Sequence, residues 1–287
     1  MSLWNQITRL VKDPPPSYLF ELSETGLAFA HGGQAWFQPF QRGTLVASPV
    51  EDNILRADAL AAAIQRVAPV NGSRKRRPAA VILPDYSARV SVLDFDSFPS
   101  SPEEQLSLVR FRVKKTVPFD IDSAAVSYWV QPGPKSAEKI EVLAVTVALE
   151  VIARYEALFR AAGFHPGVIT TSALAALSLY QGDEVVVVAK LAGLVLTVMA
   201  ISGGAIKLFR CVQLDEASEE EILLILYPTL AYVEDEFSSP ARKLILCGFP
   251  PGFVPDIPCE TARLESRFGV PGPFNAGLLG YMETVAA

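Results

Sequence analysis

Side chains that commonly act as acids, bases or nucleophiles are few and scattered along this sequence. The 287 residues include two histidines, His31 beside a Gly-Gly pair and His165 before a proline. Neither belongs to a recognisable catalytic motif, so a position at a turn surface is the simpler interpretation. Asp94 and Asp96 alternate with Phe95 and could form a carboxylate pair on one strand face, but a solvated strand edge explains them equally well. The sequence therefore predicts no catalytic residue.

Metal, disulfide and nucleic-acid chemistry are also disfavoured. The cysteines Cys211, Cys247 and Cys259 are odd in number and form no closely spaced pair, which argues against a disulfide framework or a zinc site. They fit buried structural thiols in a reducing cytoplasm. With a net charge of -6, the protein lacks the overall positive charge that general nucleic-acid binding favours. We therefore expect no bound metal and no nucleic-acid partner.

One dense basic run stands out. Its cationic members are Arg74, Lys75, Arg76 and Arg77. The run could contact anionic lipid headgroups, although a solvated loop accounts for it as well. No stretch of about 18 uncharged apolar residues occurs, so we expect a soluble protein without a spanning helix.

The first twelve residues show a helical pattern. Leu3, Ile7, Leu10 and Val11 share one face at helical spacing. A helix this short is marginal alone, so we expect it to dock on the body of the protein, on a partner or on a membrane surface.

The elements that must position all these residues recur in a fixed order. Three strand-like runs precede a helix and a buried strand, at Tyr18–Leu22, Gly26–Ala30, Ala35–Phe40, Ala57–Val67 and Ala79–Leu83. The order returns at Glu184–Ala189, Leu194–Ile201, Ala205–Leu214, Ser218–Phe237 and Lys243–Cys247. The first hairpin of the second series is predicted to turn at Lys190 to Gly193. Two such copies predict a duplicated α/β architecture.

Between the copies lies a segment that fits neither. Its predicted strands are Val90–Phe95, Ala125–Val130 and Ile140–Val147, and a helix opens at Pro102 and continues through Thr116. These elements predict an inserted α+β subdomain of roughly 80 residues. We expect it to be stabilised by packing against the rest of the protein.

Four segments resemble the PilM family, the cytoplasmic actin-like components of type IV pilus assembly. They are LPDYSARVSVLDF (83–95), VRFRVKKTVPFDID (109–122), EVIARYEALFRAAGFHPGVITTSALA (150–175) and FNAGLLGYME (274–283). The resemblance implies duplicated ribonuclease H-like (actin-like) domains, a fold shared with actin, Hsp70 and FtsA. The implied boundaries are 1–84 and 166–183 for domain I, 85–165 for the inserted subdomain, 184–270 for domain II, and 271–287 for a C-terminal helix packed on domain I.

The resemblance also implies a nucleotide site between two halves. In such proteins hairpin N–H groups cradle the phosphates of ATP and acidic side chains hold Mg²⁺. The implied site residues are Glu21, Ser23 and Thr25 at a first turn, Lys190 and Gly193 at a second, and Gly248 at a third.

Each turn departs from the family pattern. The first lacks the family's glycine, and Glu24 adds negative charge. At the second, Lys190 replaces an Asp, although a lysine could instead contact a phosphate. At the third, Phe249 adds bulk and Pro250-Pro251 removes backbone donors. We therefore expect a vestigial site, with no cofactor (neither ATP nor Mg²⁺) and no ATPase activity; ordinary turn residues would look the same.

The resemblance finally implies a partner. In the PilM family a groove beside the insert receives the cytoplasmic tail of PilN, a bitopic membrane protein. The helix from Pro102 presents an apolar face made of Leu106, Val109, Val113 and Val117. Near it we expect four partner-binding residues, Arg110, Phe111, Lys114 and Phe119. Packing of the insert on its host would explain Phe111 and Phe119 equally well.

The sequence thus predicts a non-catalytic scaffold. We expect it in the cytoplasm, at the inner face of the inner membrane, with a PilN-like tail and other pilus platform proteins as partners. Two alternatives stay open, an active ATP-binding actin-like protein and a GspL-like type II secretion component. The latter family carries a transmembrane helix, which this sequence lacks.

Overall fold

A computed structural model describes residues 15–69, 75–133 and 139–286. The strands in these ranges are β1 (Tyr18–Leu22), β2 (Gly26–His31), β3 (Gln34–Pro39), β4 (Arg77–Leu83), β5 (Arg89–Phe95), β6 (Ala124–Val130), β7 (Ile140–Ala148), β8 (Phe164–Thr171), β9 (Val186–Ala192), β10 (Val195–Ser202), β11 (Ala205–Gln213), β12 (Lys243–Cys247) and β13 (Glu260–Arg263). The helices are α1 (Ala57–Val67), α2 (Pro102–Val113), α3 (Leu149–Ala161), α4 (Ser172–Ala176), α5 (Glu219–Phe237) and α6 (Ala276–Ala286). The predicted N-terminal helix lies outside the described residues.

The chain divides into two compact units. Unit 1 combines the described parts of Met1–Ala88 and Glu265–Ala287 with Ala148–Tyr180. Unit 2 combines the described part of Arg89–Val147 with Gln181–Leu264. Each unit therefore depends on contacts between segments that are distant in sequence.

Each unit contains a five-stranded sheet with the same strand order. The order is β3-β2-β1-β4-β8 in unit 1 and β11-β10-β9-β12-β13 in unit 2. In both, the first three strands pair antiparallel, and the fourth and fifth continue the sheet in parallel. This is the order of a ribonuclease H-like domain. The predicted duplicated, actin-like α/β fold is confirmed.

The central strand of the unit 1 sheet, β1, is buried on both faces. Phe20 of β1 packs on one face among aromatic rings, with ring centroids 5.0 Å from Phe159 and 4.9 Å from Phe164. Leu19, which points the other way because side chains alternate along a strand, joins a buried cluster with Leu278 and Tyr281 of α6. β1 is therefore the central strand of the core of unit 1.

Helices α6 and α4 approach each other closely. A Cβ atom added at Gly280 would lie 2.2 Å from the carbonyl oxygen of Ala175, and one at Gly277 would lie 2.8 Å from the Cα of Ser172. Only glycine permits this approach, because any side chain would meet backbone atoms.

The unit 2 sheet is covered by α5. Ile222, Leu226 and Val233 of this helix are buried in a cluster with residues of β9, β10 and β12. The hydroxyl of Ser218 accepts a hydrogen bond from the N–H of Glu221 at 3.3 Å, which caps the start of the helix.

The inserted subdomain forms a three-stranded sheet, in the order β5-β7-β6, packed against α2. It is attached to β11 of unit 2. The buried side-chain amide of Gln131 donates to the carbonyl of Ile206 at 2.7 Å and accepts from its N–H at 2.8 Å, while Glu141 forms an ion pair with Lys207. These contacts place the insert with unit 2.

The observed division differs from the predicted boundaries 85–165 of the insert. The insert proper ends at β7, and α3 belongs to unit 1, because its side chains Tyr155 and Phe159 are buried there. Helix α2 also ends earlier than predicted, at Val113 rather than Thr116.

Candidate functional site

Glu21 occupies the position implied for an acid that serves Mg²⁺. Its side chain is only 1% exposed. One carboxylate oxygen accepts the N–H of Leu278 at 2.6 Å, and the other accepts the hydroxyl of Ser172. Leu278 lies in the first turn of α6, where backbone N–H groups lack intrahelical partners and the dipole favours negative charge. Ser172 is the first residue of α4 and donates through its side chain. Glu21 thus joins β1 to the N-termini of α6 and α4.

The first turn is closed by its own hydrogen bonds. Ser23 donates to the carbonyl of Gly26 through its N–H at 2.9 Å and through its hydroxyl at 2.8 Å. The hydroxyls of Ser23 and Thr25 lie 3.2 Å apart. Glu24 accepts the N–H of Ala47 at 2.9 Å. The polar side chains of the turn are therefore occupied by the protein itself.

Lys190 lies inside β9 rather than in the second turn. The ladder pairs Lys190 with Thr197, and β9 continues to Ala192 before the two-residue connection Gly193–Leu194. The predicted turn from Lys190 to Gly193 is wrong, because the left-handed conformation that the tight hairpin needs falls on Gly193 alone, at φ +63°. The Lys190 side chain is 2% exposed, so its ammonium group is buried within the protein.

The third turn is packed and tied from within. Gly248 is followed by Phe249, which is buried in the core of unit 2 and stacks on Phe253 at 4.7 Å. The Arg263 guanidinium donates to the carbonyls of Phe249 at 3.0 Å and Pro250 at 2.7 Å. Since the two prolines have no N–H, this turn presents a side chain and carbonyls where a nucleotide would need space and donors.

Taken one by one, the three turns offer few of the groups that a magnesium nucleotide binds. Metal ions bind carboxylate oxygens and phosphates bind outward N–H groups. Both oxygens of Glu21 already accept hydrogen bonds, Lys190 is buried, and Pro250-Pro251 has no N–H to offer. Across residues 15–69, 75–133 and 139–286, no three His, Cys, Asp or Glu side chains are grouped to hold a metal ion.

The environments of Cys247 and Cys259 lower the reactivity of their thiols. All three are free of disulfide bonds, and Cys247 is buried in β12. Burial raises the pKa of the Cys259 thiol above its ordinary value, against a smaller opposing effect of the Leu244 backbone. Because the thiolate is the nucleophilic form, this shift makes Cys259 less reactive.

Two of the four predicted partner-binding residues support the insert itself. The Arg110 guanidinium donates to the carbonyls of Ile121 and Ala124, with 3.3 Å to the latter. Phe119 packs against the buried cluster of the insert. Val109 and Val113 are fully buried in the same cluster and Val117 packs against it, so this part of the predicted apolar face is covered by the strands of the insert.

The other two predicted residues face solvent. Phe111 is 73% exposed, which is unusual for a phenylalanine, and Lys114 directly follows α2 in an exposed position. The prediction omitted Lys115, which is exposed beside it. Together Phe111, Lys114 and Lys115 form an exposed aromatic and cationic surface, called here the α2 surface.

Comparisons with known proteins give the fold. No protein-family model and no curated protein sequence matches this chain. A chain of the PilM–PilN type IV pilus biogenesis complex superposes with a TM-score of 0.67 at 17% identity, over 96% of this chain and 99% of that chain. The cytoplasmic domain of EpsL, an inner membrane component of the type II secretion system of Vibrio cholerae, superposes with a TM-score of 0.55 at 15% identity, over 94% of each chain. The chain shares their fold.

The described members of the basic run, Lys75, Arg76 and Arg77, have different surroundings. Arg77 begins β4, and its guanidinium lies 3.9 Å from the ring centroid of Phe164 and donates to the carbonyl of Pro69 at 3.0 Å, so it supports the core. Lys75 and Arg76 are exposed, and Arg74 lies outside the described residues. No helix in the described ranges has both the length and the hydropathy of a bilayer span.

Proposed function

We propose that this chain is a non-catalytic scaffold of a type IV pilus or related secretion platform, which binds the cytoplasmic tail of a PilN-like membrane protein. The observation that carries the proposal is the likeness to a chain of the PilM–PilN complex over 96% of the sequence. The proposal places the protein in the cytoplasm, at the inner face of the inner membrane, with other platform proteins as further partners. Function still rests on sites rather than on fold.

The three turns support a non-catalytic role. Catalysis of phosphoryl transfer depends on positioning and on charge stabilisation by metal ions, lysines and backbone N–H groups. Here Glu21 is hydrogen-bonded to Leu278 and Ser172, Lys190 is buried within β9, and Phe249 fills the third turn.

Calorimetric titration with Mg-ATP tests the non-catalytic part. We expect no saturable heat up to about 1 mM nucleotide, which would correspond to a binding free energy weaker than about 4 kcal/mol. A dissociation constant in the micromolar range would instead support the alternative of an active ATP-binding actin-like protein.

The α2 surface is the proposed site for the tail. Peptide recognition combines apolar contact with a few polar anchors, and Phe111 with Lys114 and Lys115 offers both. Arg110 and Phe119 are left out of this site, because the first holds carbonyls of the insert and the second packs in its core.

The site is tested with a synthetic PilN-like tail peptide. Phe111→Ala and Lys114→Glu should each weaken binding about tenfold or more in fluorescence anisotropy, consistent with hot-spot losses above 1 kcal/mol. Arg42→Glu makes the same charge change at an exposed position of unit 1 and should leave the affinity unchanged. Equal affinity of all variants would remove the α2 surface from the proposal.

Membrane contact is proposed for the exposed part of the basic run. Lys75 and Arg76 are exposed before β4, and each basic residue near an anionic leaflet is worth about 1 kcal/mol. The fraction of protein that co-sediments with phosphatidylglycerol vesicles should be lower for Arg76→Glu than for the wild type, and unchanged for Arg42→Glu. Equal fractions for both variants would mean that the basic run is a solvated loop.

A type II secretion role is the second candidate, favoured by the likeness to the EpsL cytoplasmic domain. The two candidates differ in partner. Binding to type II secretion components, in the absence of binding to a PilN-like tail, would select the EpsL-like role.

A further inference from the structure

β3 is the outer strand of the unit 1 sheet, and one of its edges is unpaired. The Gly32–Gly33 turn, with positive φ at both glycines, places His31 opposite Gln34, and two-residue hairpins hydrogen-bond the residues that flank the turn. Because bonded and non-bonded pairs alternate, the N–H and C=O groups of Ala35 and Phe37 point away from β2. Within the described part of the chain, nothing hydrogen-bonds to these groups.

This edge lacks the usual protections against pairing. Natural edge strands carry charged side chains, bulges or prolines, whereas residues 34–38 are uncharged and Pro39 comes only at the end of the strand. Trp36 and Phe37 are each 47% exposed. Trp36 rests on Phe29, with ring centroids 5.5 Å apart, so its ring is already held in place for a contact.

The residues of the edge complement a second copy of themselves. Gln34 and Gln38 lie at equal distances from Trp36 along the strand, and Ala35 and Phe37 are its direct neighbours. In an antiparallel pair centred on Trp36, Gln34 of one copy lies opposite Gln38 of the other. The small Ala35 lies opposite the large Phe37, and no charged side chains face each other. A second copy of the strand therefore offers main-chain hydrogen bonds together with this fit of side-chain size and charge, which favours the same chain as occupant.

We propose that β3 pairs antiparallel with β3 of a second copy, around a two-fold axis at Trp36, and so joins two unit 1 sheets. The outward groups of Ala35 then exchange hydrogen bonds with those of Phe37 in the second copy, and the reverse. The two Trp36 residues form the non-hydrogen-bonded pair at the axis, where Cα atoms lie about 4.5 Å apart and side chains are closest. This pairing does not rest on the proposed function.

A charge-swap experiment on the full chain tests the pairing. The wild type should dimerise with concentration in sedimentation velocity. Trp36→Lys and Trp36→Glu should each weaken dimerisation at least tenfold, because like charges then meet at the axis. An equimolar mixture of the two should associate at least tenfold more tightly than either alone at low salt. Ala35→Pro removes an outward N–H and leaves the β2–β3 hydrogen bonds intact, so it should also weaken the dimer.

Phe111→Lys adds a charge at an exposed aromatic residue elsewhere and should leave dimerisation unchanged. A wild type that stays monomeric at several hundred micromolar would overturn the proposal. So would a mixture of Trp36→Lys and Trp36→Glu that associates no more tightly than either variant alone. If the wild type is monomeric and Ala35→Pro abolishes binding of the tail peptide, the edge receives a peptide rather than a second copy, and the proposal is wrong.

Discussion

Glu21 and Leu278 are hydrogen-bonded at 2.6 Å, although 257 positions separate them in the sequence. The buried carboxylate of β1 therefore satisfies the N-terminal N–H of a helix at the other end of the chain. The resemblance to the PilM family implies that Glu21 serves Mg²⁺. In this structure its carboxylate instead holds two groups of the protein itself.

Replacing Glu21 by Gln should show this structural role. The substitution keeps the shape but removes the charge and one acceptor, and hydrogen bonds to charged groups contribute about 1.5–3 kcal/mol. We expect the free energy of unfolding, measured in urea, to fall by about 2 kcal/mol. Glu51→Gln at an exposed position should change it by less than about 0.5 kcal/mol. Equal effects of the two substitutions would contradict the assignment.

Phe249→Ala should destabilise the protein without creating a nucleotide site. The buried ring leaves a cavity in the core of unit 2, at a cost of about 3 kcal/mol, measurable by urea unfolding. The matched control Phe111→Ala removes an exposed ring and should cost less than about 0.5 kcal/mol. Because Pro250 and Pro251 remain, Mg-ATP should still not bind; saturable binding by Phe249→Ala would mean that the ring alone blocks the site.

Gly280→Ala tests the close approach of α6 and α4. Alanine favours a helix over glycine by about 1 kcal/mol, but its Cβ would lie 2.2 Å from the Ala175 oxygen. We expect a net loss of about 1–2 kcal/mol from overpacking, seen as a lower Tm. Gly167→Ala, where an added Cβ has no neighbour within 4 Å, is the control. A Gly280→Ala protein that is more stable than the wild type would contradict this contact.

Alkaline pH should destabilise the fold through buried tyrosines. Burial raises the pKa of Tyr281 to about 12 from its ordinary 10.0, and burial with the charge of Asp52 raises the pKa of Tyr155 further. The stability that each phenol contributes is fully present below pH 10 and is lost as the pH rises through its folded pKa. For Tyr281 the loss between pH 10 and 12 is on the order of 2–3 kcal/mol.

The test compares the wild type with Tyr281→Phe in urea at pH 9, 10 and 11. The variant cannot ionise at this position, so its stability should fall less steeply above pH 10. Parallel pH profiles would show that Tyr281 does not contribute.

The repeated strand order could be predicted from the sequence because hydrophobic runs and turn residues are local signals. Local patterns do not locate the turn at Gly193–Leu194, because a lysine is common in turns and the burial of Lys190 is decided by the surrounding sheet. Helical spacing placed Val109 and Val113 on one face, but spacing does not tell what covers that face. The partners of Glu21 and Arg110 are set by tertiary contacts that no local pattern reveals.

The assembly of unit 1 from three separated segments has a consequence for synthesis. A ribosome delivers both segments of unit 2, which end at Leu264, before it delivers α6. The unit 2 sheet therefore needs no residue of α6, whereas Glu21 of unit 1 needs the N–H of Leu278. A protein truncated before residue 276 should contain a protease-resistant unit 2 and a protease-sensitive unit 1, because only unit 1 loses a helix from its core.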